Sequence, residues 1–206
     1  MNGFARFVQS RPVYIVSGLL LAALWCLFAY RHFQAYGHTG HLIFLVFFFS
    51  ETLQAGFFAF RSVPKTVSTS PFDWMVAAGG TFTPLFFRPE GPVLWQGAET
   101  MVILGMMLQM FGLLSLNRSF AIVAAKREIK TLGMYTYVRH PMYASYILIY
   151  SGYVIFNASP INLFLWFLAS AFLFLRIESE EAHLSKDPEY RAYRSQVRYR
   201  LIPFVY

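Results

Sequence analysis

The chain has 206 residues, of which 57% are hydrophobic and 13% charged, and it carries a net charge of +7. A soluble domain carries about 25% charged residues, so this composition excludes an ordinary water-soluble core and predicts an all-α, polytopic membrane protein. Six apolar segments follow one another: Pro12 to Tyr30, His41 to Phe60, Phe72 to Phe87, Pro92 to Leu116, Pro141 to Phe156 and Ile161 to Leu175. A full crossing takes about 20 residues, and the third, fifth and sixth segments fall short of that. The last two are joined by the turn-forming run Asn157 to Pro160 and read as a helical hairpin, partly sheltered by the others. Nothing breaks the sixth before Asp187 and Pro188, so its helix is expected to continue through Arg176 to Leu184. The basic start, Met1 to Arg11, is like that of a signal peptide. The apolar run behind it is long and lacks a small-residue cleavage site, which predicts a retained span. The single cysteine, Cys26, lies inside the first segment, so neither an internal disulfide nor a cysteine metal cluster is expected. The end, Phe204 to Tyr206, carries no prenylation box.

Charge gives the orientation. With the N-terminus inside and the segments alternating, every one of the 17 Lys and Arg residues except Arg31 and Arg88 lies on the inner side. Basic residues concentrate on cytoplasmic loops, so six crossings with both termini cytoplasmic are predicted. The positive charge is then a collar facing lipid headgroups and calls for no nucleic-acid partner.

The run Gly133 to Tyr143 separates two apolar regions and holds the best-placed punctuation in the chain, Pro141. Proline favours the first helical position and pushes the residue before it, His140, out of the helix. A helix N-terminus presents unpaired N–H groups and partial positive charge, and Arg139 and His140 add donors at the same point. The spacing therefore predicts a site for a carboxylate or phosphate at the membrane surface. Equally, Arg139 and His140 could anchor a helix end at headgroups.

On the helix continuing from the sixth segment, Glu181 falls in line with Phe174, Ile177 and Leu184, on the apolar stripe. Arg176, Glu180 and His183 share another face, and Glu178 lies a turn from Glu181. A carboxylate on an apolar stripe is costly unless paired, which makes Glu181 the better site candidate, or else the partner of an arginine such as Arg139. Beyond it, Asp187 reads as an N-cap and Pro188 as a first helical residue. The short helix that follows places Tyr190, Tyr193 and Val197 on one face and Arg191, Arg194 and Arg198 on another, as an interfacial helix does.

Together, Gly133, Tyr135, Arg139, His140, Pro141 and Tyr143, then Glu180, Glu181 and Leu184, then Tyr190, Tyr193, Val197 and Pro203, resemble the isoprenylcysteine carboxyl methyltransferase family. That family sits in a wider group of membrane methyltransferases that includes the phospholipid methyltransferases. The resemblance covers roughly Gln109 to Pro203, with Asn117 to Phe120 also family-like. It departs where Asp187, Pro188 and Glu189 replace a Phe-Gly before the first tail tyrosine, and where Ser145 replaces a glycine. One membrane domain over residues 1–206 is expected, with N-terminal spans over 1–88 and a family-like, cofactor-binding half over 89–206. The resemblance implies S-adenosylmethionine as methyl donor, held between the Arg-His-Pro loop and the C-terminal segment.

The residues suit that chemistry. Methyl transfer from a sulfonium needs in-line positioning more than acid–base groups. The cofactor carboxylate is expected at Arg139, His140 and the Pro141 helix start. Its hydroxyls or ammonium are expected at Glu181 or Glu180. Tyr135, Tyr143 and Tyr190 could wall the adenine or the sulfonium, the latter by cation–π contact. Arg139 and Glu181 are the residues expected to be catalytic, and Glu181→Gln is expected to weaken cofactor binding more than Glu180→Gln. Gln109 either hydrogen-bonds the cofactor or packs between helices. Glu51, in the second segment beside Gln54, either lines a substrate entrance or is structurally paired, and Arg176 is a further substrate candidate. Gln96 and Glu99 read as structural. His38 and His41 are flanked by Gly37 and Gly40 in what reads as a loop; no third ligand is near, so no metal is expected. Membrane lipid and a lipophilic small molecule or lipid are the expected partners. Three functions fit: a methyltransferase acting on a lipophilic carboxylate, amine or thiol; an NADPH-dependent reductase of the sterol-reductase type; or a non-catalytic protein of the same architecture.

Overall fold

The structure is a computed structural model. It describes Phe7, residues 10–116, Ser119, and residues 123–126 and 128–206. Met1, Asn117 and Phe120, named above, lie outside the described residues, as do Arg6, Arg118, Arg127 and the side chain of Lys126 among the basic residues counted there.

The chain is mostly helical. In order come α1 (Arg11–Thr39), α2 (Leu42–Phe60), strand β1 (Thr66–Val67) and α3 (Pro71–Phe82), which runs into a 3-10 turn at Thr83–Phe86. Then follow α4 (Ala98–Leu116), strand β2 (Ala125–Lys126), a 3-10 turn at Gly133–Thr136, α5 (Pro141–Phe156), α6 (Pro160–Leu184) and α7 (Pro188–Gln196). Four of them, α1, α2, α4 and α6, are long and apolar enough to cross a membrane. Leucines such as Leu20, 67% exposed, stand on their outer faces, as a hydrocarbon solvent allows. This is an integral membrane protein.

Several boundaries differ from the sequence reading. The first helix does not stop at Tyr30. It runs through Gly37 to Thr39, where Gly40 closes it in the left-handed conformation at φ 70°. Arg31 ends the apolar run without breaking the helix, because a charged residue near a membrane boundary costs little. The fourth segment becomes helical only at Ala98, six residues after Pro92. The sixth continues to Leu184 without a break, and the Asp187 side chain accepts from the Glu189 N–H at 2.8 Å, which starts α7.

Two sets of contacts define the ends of the bundle. At one end the Tyr14 hydroxyl donates to the Ser62 carbonyl at 2.7 Å, and β1 pairs antiparallel with β2. The Arg139 and His140 N–H groups there donate to the carbonyls of Tyr199 and Arg200 at 2.9 and 2.8 Å. At the other end the fully buried Asn162 side chain accepts from the Arg88 N–H and donates to the carbonyls of Arg88 and Asn157. Between these ends α1 packs on α2, α4 on α5, and α3 on α6. A Cβ at Gly152 would sit 2.9 Å from the Ala98 carbonyl oxygen, so a bare backbone there is what lets α5 approach α4. The turn Asn157–Ser159 joins α5 to α6, yet each lies mainly along a different partner. The space this leaves beside α5 is where the cavities form.

Candidate functional site

Gly133 enters its turn at φ 64°, a conformation that costs glycine nothing, and the turn buries Tyr135. His140 precedes Pro141 at φ −130°, ψ 59°, and its carbonyl accepts from the N–H groups of Tyr143 and Ala144, which starts α5. Backbone bonds to Tyr199 and Arg200 hold Arg139 and His140 against the tail. Loop, α6 and tail therefore converge on one point.

At that point lies Glu181, 2% exposed. Its Oε1 accepts from Arg139 Nε at 2.7 Å and faces His140 Nε2 at 3.0 Å. Its Oε2 accepts from Arg200 Nε and Nη2 at 3.2 and 3.1 Å. Arg139 Nη1 in turn donates to the carbonyls of Val197 and Arg198 at 2.8 and 2.6 Å. The carboxylate that the spacing calls for at Arg139 and His140 is thus one of the chain's own. The helical phase does turn Glu181 inward, but into an ion cluster and not into a cavity. Both of its oxygens are already engaged, so a cofactor hydroxyl or ammonium that meets Glu181 has to displace one of these partners.

Glu180 is the carboxylate that faces open space. It accepts from the Tyr143 hydroxyl, and Arg176 Nε stands 3.5 Å from the same oxygen. His140 Nδ1 lies 4.0 Å from the other. Arg176 is itself buried. It donates to Thr81 Oγ1 at 3.3 Å and lies 5.3 Å from the Tyr143 ring centre.

Above these groups is a cavity of about 130 Å³ whose walls include Tyr135, Arg139, His140, Tyr143, Glu180 and Tyr190. Its rim passes Leu116, Ser119 and Ala125, next to residues outside the described set. The Tyr190 hydroxyl is buried there and has no hydrogen-bond partner among the described residues. Burial pushes the Tyr190 and Tyr193 phenols well above their ordinary range, so both are neutral donors at pH 7. Tyr193 spends its proton on the Tyr135 carbonyl at 2.7 Å, whereas that of Tyr190 has no acceptor among the described residues.

A second cavity, about 340 Å³, lies between α1, α2, α3 with its 3-10 turn, α4, α5 and α6, and its walls include Glu51, Gln109, Tyr146 and Arg176. Arg176 and Tyr146 border both cavities. The structure therefore gathers Tyr135, Arg139, His140, Tyr143, Glu180, Tyr190 and Arg176 around the first cavity and places Glu51 and Gln109 in the second. Pro141 is buried at the helix start, and Glu181 lies behind the wall.

Sequence reasoning missed Arg200, His32, Tyr146 and Tyr193 as site residues. Arg200 is brought to Glu181 by a tail that folds back, which no local periodicity reports. His32 faces Glu51 across two helices, at 2.8 Å. Tyr146 was legible, standing three residues after Tyr143 and so on the same helix face.

Residues 95–190 match the family model described as phospholipid methyltransferase, a stretch that spans α4, α5 and α6 and ends in the first turn of α7. No curated protein matches the chain.

Proposed function

We propose, on the premise that residues 95–190 are a membrane methyltransferase region of the phospholipid methyltransferase family, that the protein transfers a methyl group from S-adenosylmethionine to a lipophilic acceptor. One observation carries the reading. A cavity with a free phenol, a carboxylate and a ring of tyrosines at the bundle end adjoins a larger cavity between the apolar helices, and the two share Arg176 and Tyr146. A polar donor and a lipophilic acceptor need two such chambers meeting at one wall.

The residues of the first chamber fit the donor. Glu180 suits its ammonium, the unpartnered Tyr190 hydroxyl a ribose or carboxylate oxygen, and the Tyr143 and Tyr135 rings the adenine or the sulfonium. Arg139 Nη2, which has no hydrogen bond among the described residues, suits the carboxylate. The donor supplies a methyl on a positively charged sulfur. When bound, it would pass that methyl to the acceptor's lone pair, the carbon–sulfur bonding pair remaining on sulfur. A carboxylate acceptor needs no proton removed. Arg176 and Tyr146, at the shared wall, orient the nucleophile, and the chain around them keeps water out. Glu181 acts by positioning: with Arg139 and Arg200 it locks loop, α6 and tail together beneath the donor.

S-adenosylmethionine in about 100-fold excess over its dissociation constant is expected to stabilise the fold by about 2.7 kcal/mol, read as a raised melting temperature of the purified protein. A shift with NADPH and none with S-adenosylmethionine or its demethylated product would overturn the reading in favour of a reductase.

We further infer six crossings with both termini cytoplasmic. In support, α3 and its 3-10 turn lead from the β1 end of the bundle to the Asn162 end, and the short α5 leads between the same two ends. A reporter fused after Tyr206 is expected to read as internal; an external readout would break the topology and move the tail away from the cytoplasm.

A further inference from the structure

The second cavity has a wall that methyl transfer as described above does not use. There His32 Nδ1 lies 2.8 Å from Glu51 Oε2, and the imidazole is stacked on Phe47 at 4.6 Å between ring centres. With the carboxylate fixing Nδ1–H, Nε2 is left as an acceptor. Neither His32 Nε2 nor Glu51 Oε1 has a hydrogen-bond partner among the described residues. One turn further along α2 is Gln54, whose side chain also borders the cavity. Gln54 is 7% exposed and likewise makes no hydrogen bond among the described residues. At membrane depth, an unpaired amide and an unspent acceptor pair are each costly, and a protein that only needed to pack lipid tails here would carry leucines.

We propose that this wall is a binding site for the distal hydroxyl of the methyl acceptor, read by His32, Glu51 and Gln54, and that the acceptor is a compact, single-bodied lipophile and not a diacyl lipid. The inference rests on the methyltransferase reading for the identity of the ligand as acceptor. The polar set is rich in acceptors, two from the dyad and one from the Gln54 amide, so it selects a ligand group that donates. The cavity volume, about 340 Å³, lies at the low end of the range for small-molecule sites, about 300–1,000 Å³. Its flat aromatic faces, among them Trp25, Phe58 and Tyr150, suit a rigid body better than two acyl chains. Arg176 and Tyr146, where the donor chamber begins, line the same cavity as His32 and Glu51, so one ligand can meet both sets.

The test uses two probes that differ by one hydroxyl: 6-hydroxy-2-naphthoic acid, with its carboxylate and hydroxyl at opposite ends, and 2-naphthoic acid. Binding to the full-length protein in detergent micelles is measured by titration calorimetry. A site built to hydrogen-bond a hydroxyl rejects the analogue without it, so the hydroxylated probe is expected to bind at least about 10-fold more tightly. Gln54→Leu and Glu51→Gln are each expected to shrink that ratio to about 2-fold or less, while leaving the melting-temperature shift with S-adenosylmethionine in place. Gln54→Leu keeps size and helix propensity, so it remains informative if a charge change at Glu51 impairs folding. Equal affinities for the two probes, no binding of either, or displacement of both by dioleoyl phosphatidylethanolamine at equimolar concentration would overturn the proposal. In those outcomes a retained shift with S-adenosylmethionine leaves the methyltransferase reading standing. Discrimination between the probes without any such shift would instead support the hydroxyl site and remove the methyltransferase.

Discussion

Glu181→Gln is expected to destabilise the fold by about 3–5 kcal/mol, the cost of removing one partner from a buried ion pair and leaving the other behind. Two arginines and a histidine converge on this carboxylate. The side chains of Glu181 and Arg139 are 3% and 5% exposed, so water cannot replace the lost charge. Glutamine would keep one oxygen but turn an NH2 toward Arg139 or Arg200, which can only donate. The backbone bonds from Arg139 and His140 to the tail depend on the same cluster, so the damage should spread to α7 and the Gly133 turn. The measurement is the melting temperature and monodispersity of the variant without ligand. A variant within about 0.5 kcal/mol of the parent would show that the cluster is not what joins loop and tail.

How much of this was legible in the sequence differs from residue to residue. Pro141 and the pair Asp187 and Pro188 announce their helix starts through backbone chemistry that acts locally, and both starts stand where the residues put them. Glu181 was also readable as inward-facing, since its phase with Ile177 follows from the 3.6-residue period. What the inward face meets was not readable. Arg200 lies 19 residues further on and returns only because the tail pairs its backbone with Arg139 and His140. Periodicity carries no information about such a return. The His32 to Glu51 pair was hidden for a different reason. The apolar run ends at Tyr30, and a composition-based boundary there cuts off the last nine residues of α1, although the helix tolerates Gly37 and ends only at Gly40.

Glu180→Gln is expected to weaken S-adenosylmethionine binding by roughly 10- to 150-fold while costing the fold less than Glu181→Gln does. The helical phase taken alone orders the two glutamates the other way, with Glu181 as the ligand contact. Geometry reverses the order because Glu181 is saturated by protein donors, whereas Glu180 borders the cavity. A hydrogen bond to a charged group contributes about 1.5–3 kcal/mol, which sets the fold-change in affinity. Stability suffers less because Glu180 is 18% exposed in its side chain, and Arg176 keeps its bond to Thr81 and its place over the Tyr143 ring. Tyr143 in turn can donate to the glutamine oxygen as it does to the carboxylate. The comparison needs calorimetric titration of both variants with S-adenosylmethionine, each checked for monodispersity first. Should folded Glu181→Gln lose more affinity than Glu180→Gln, the donor would have to displace Arg139 or Arg200 from Glu181 on binding. The first cavity would then be an approach to the donor site and not the site itself.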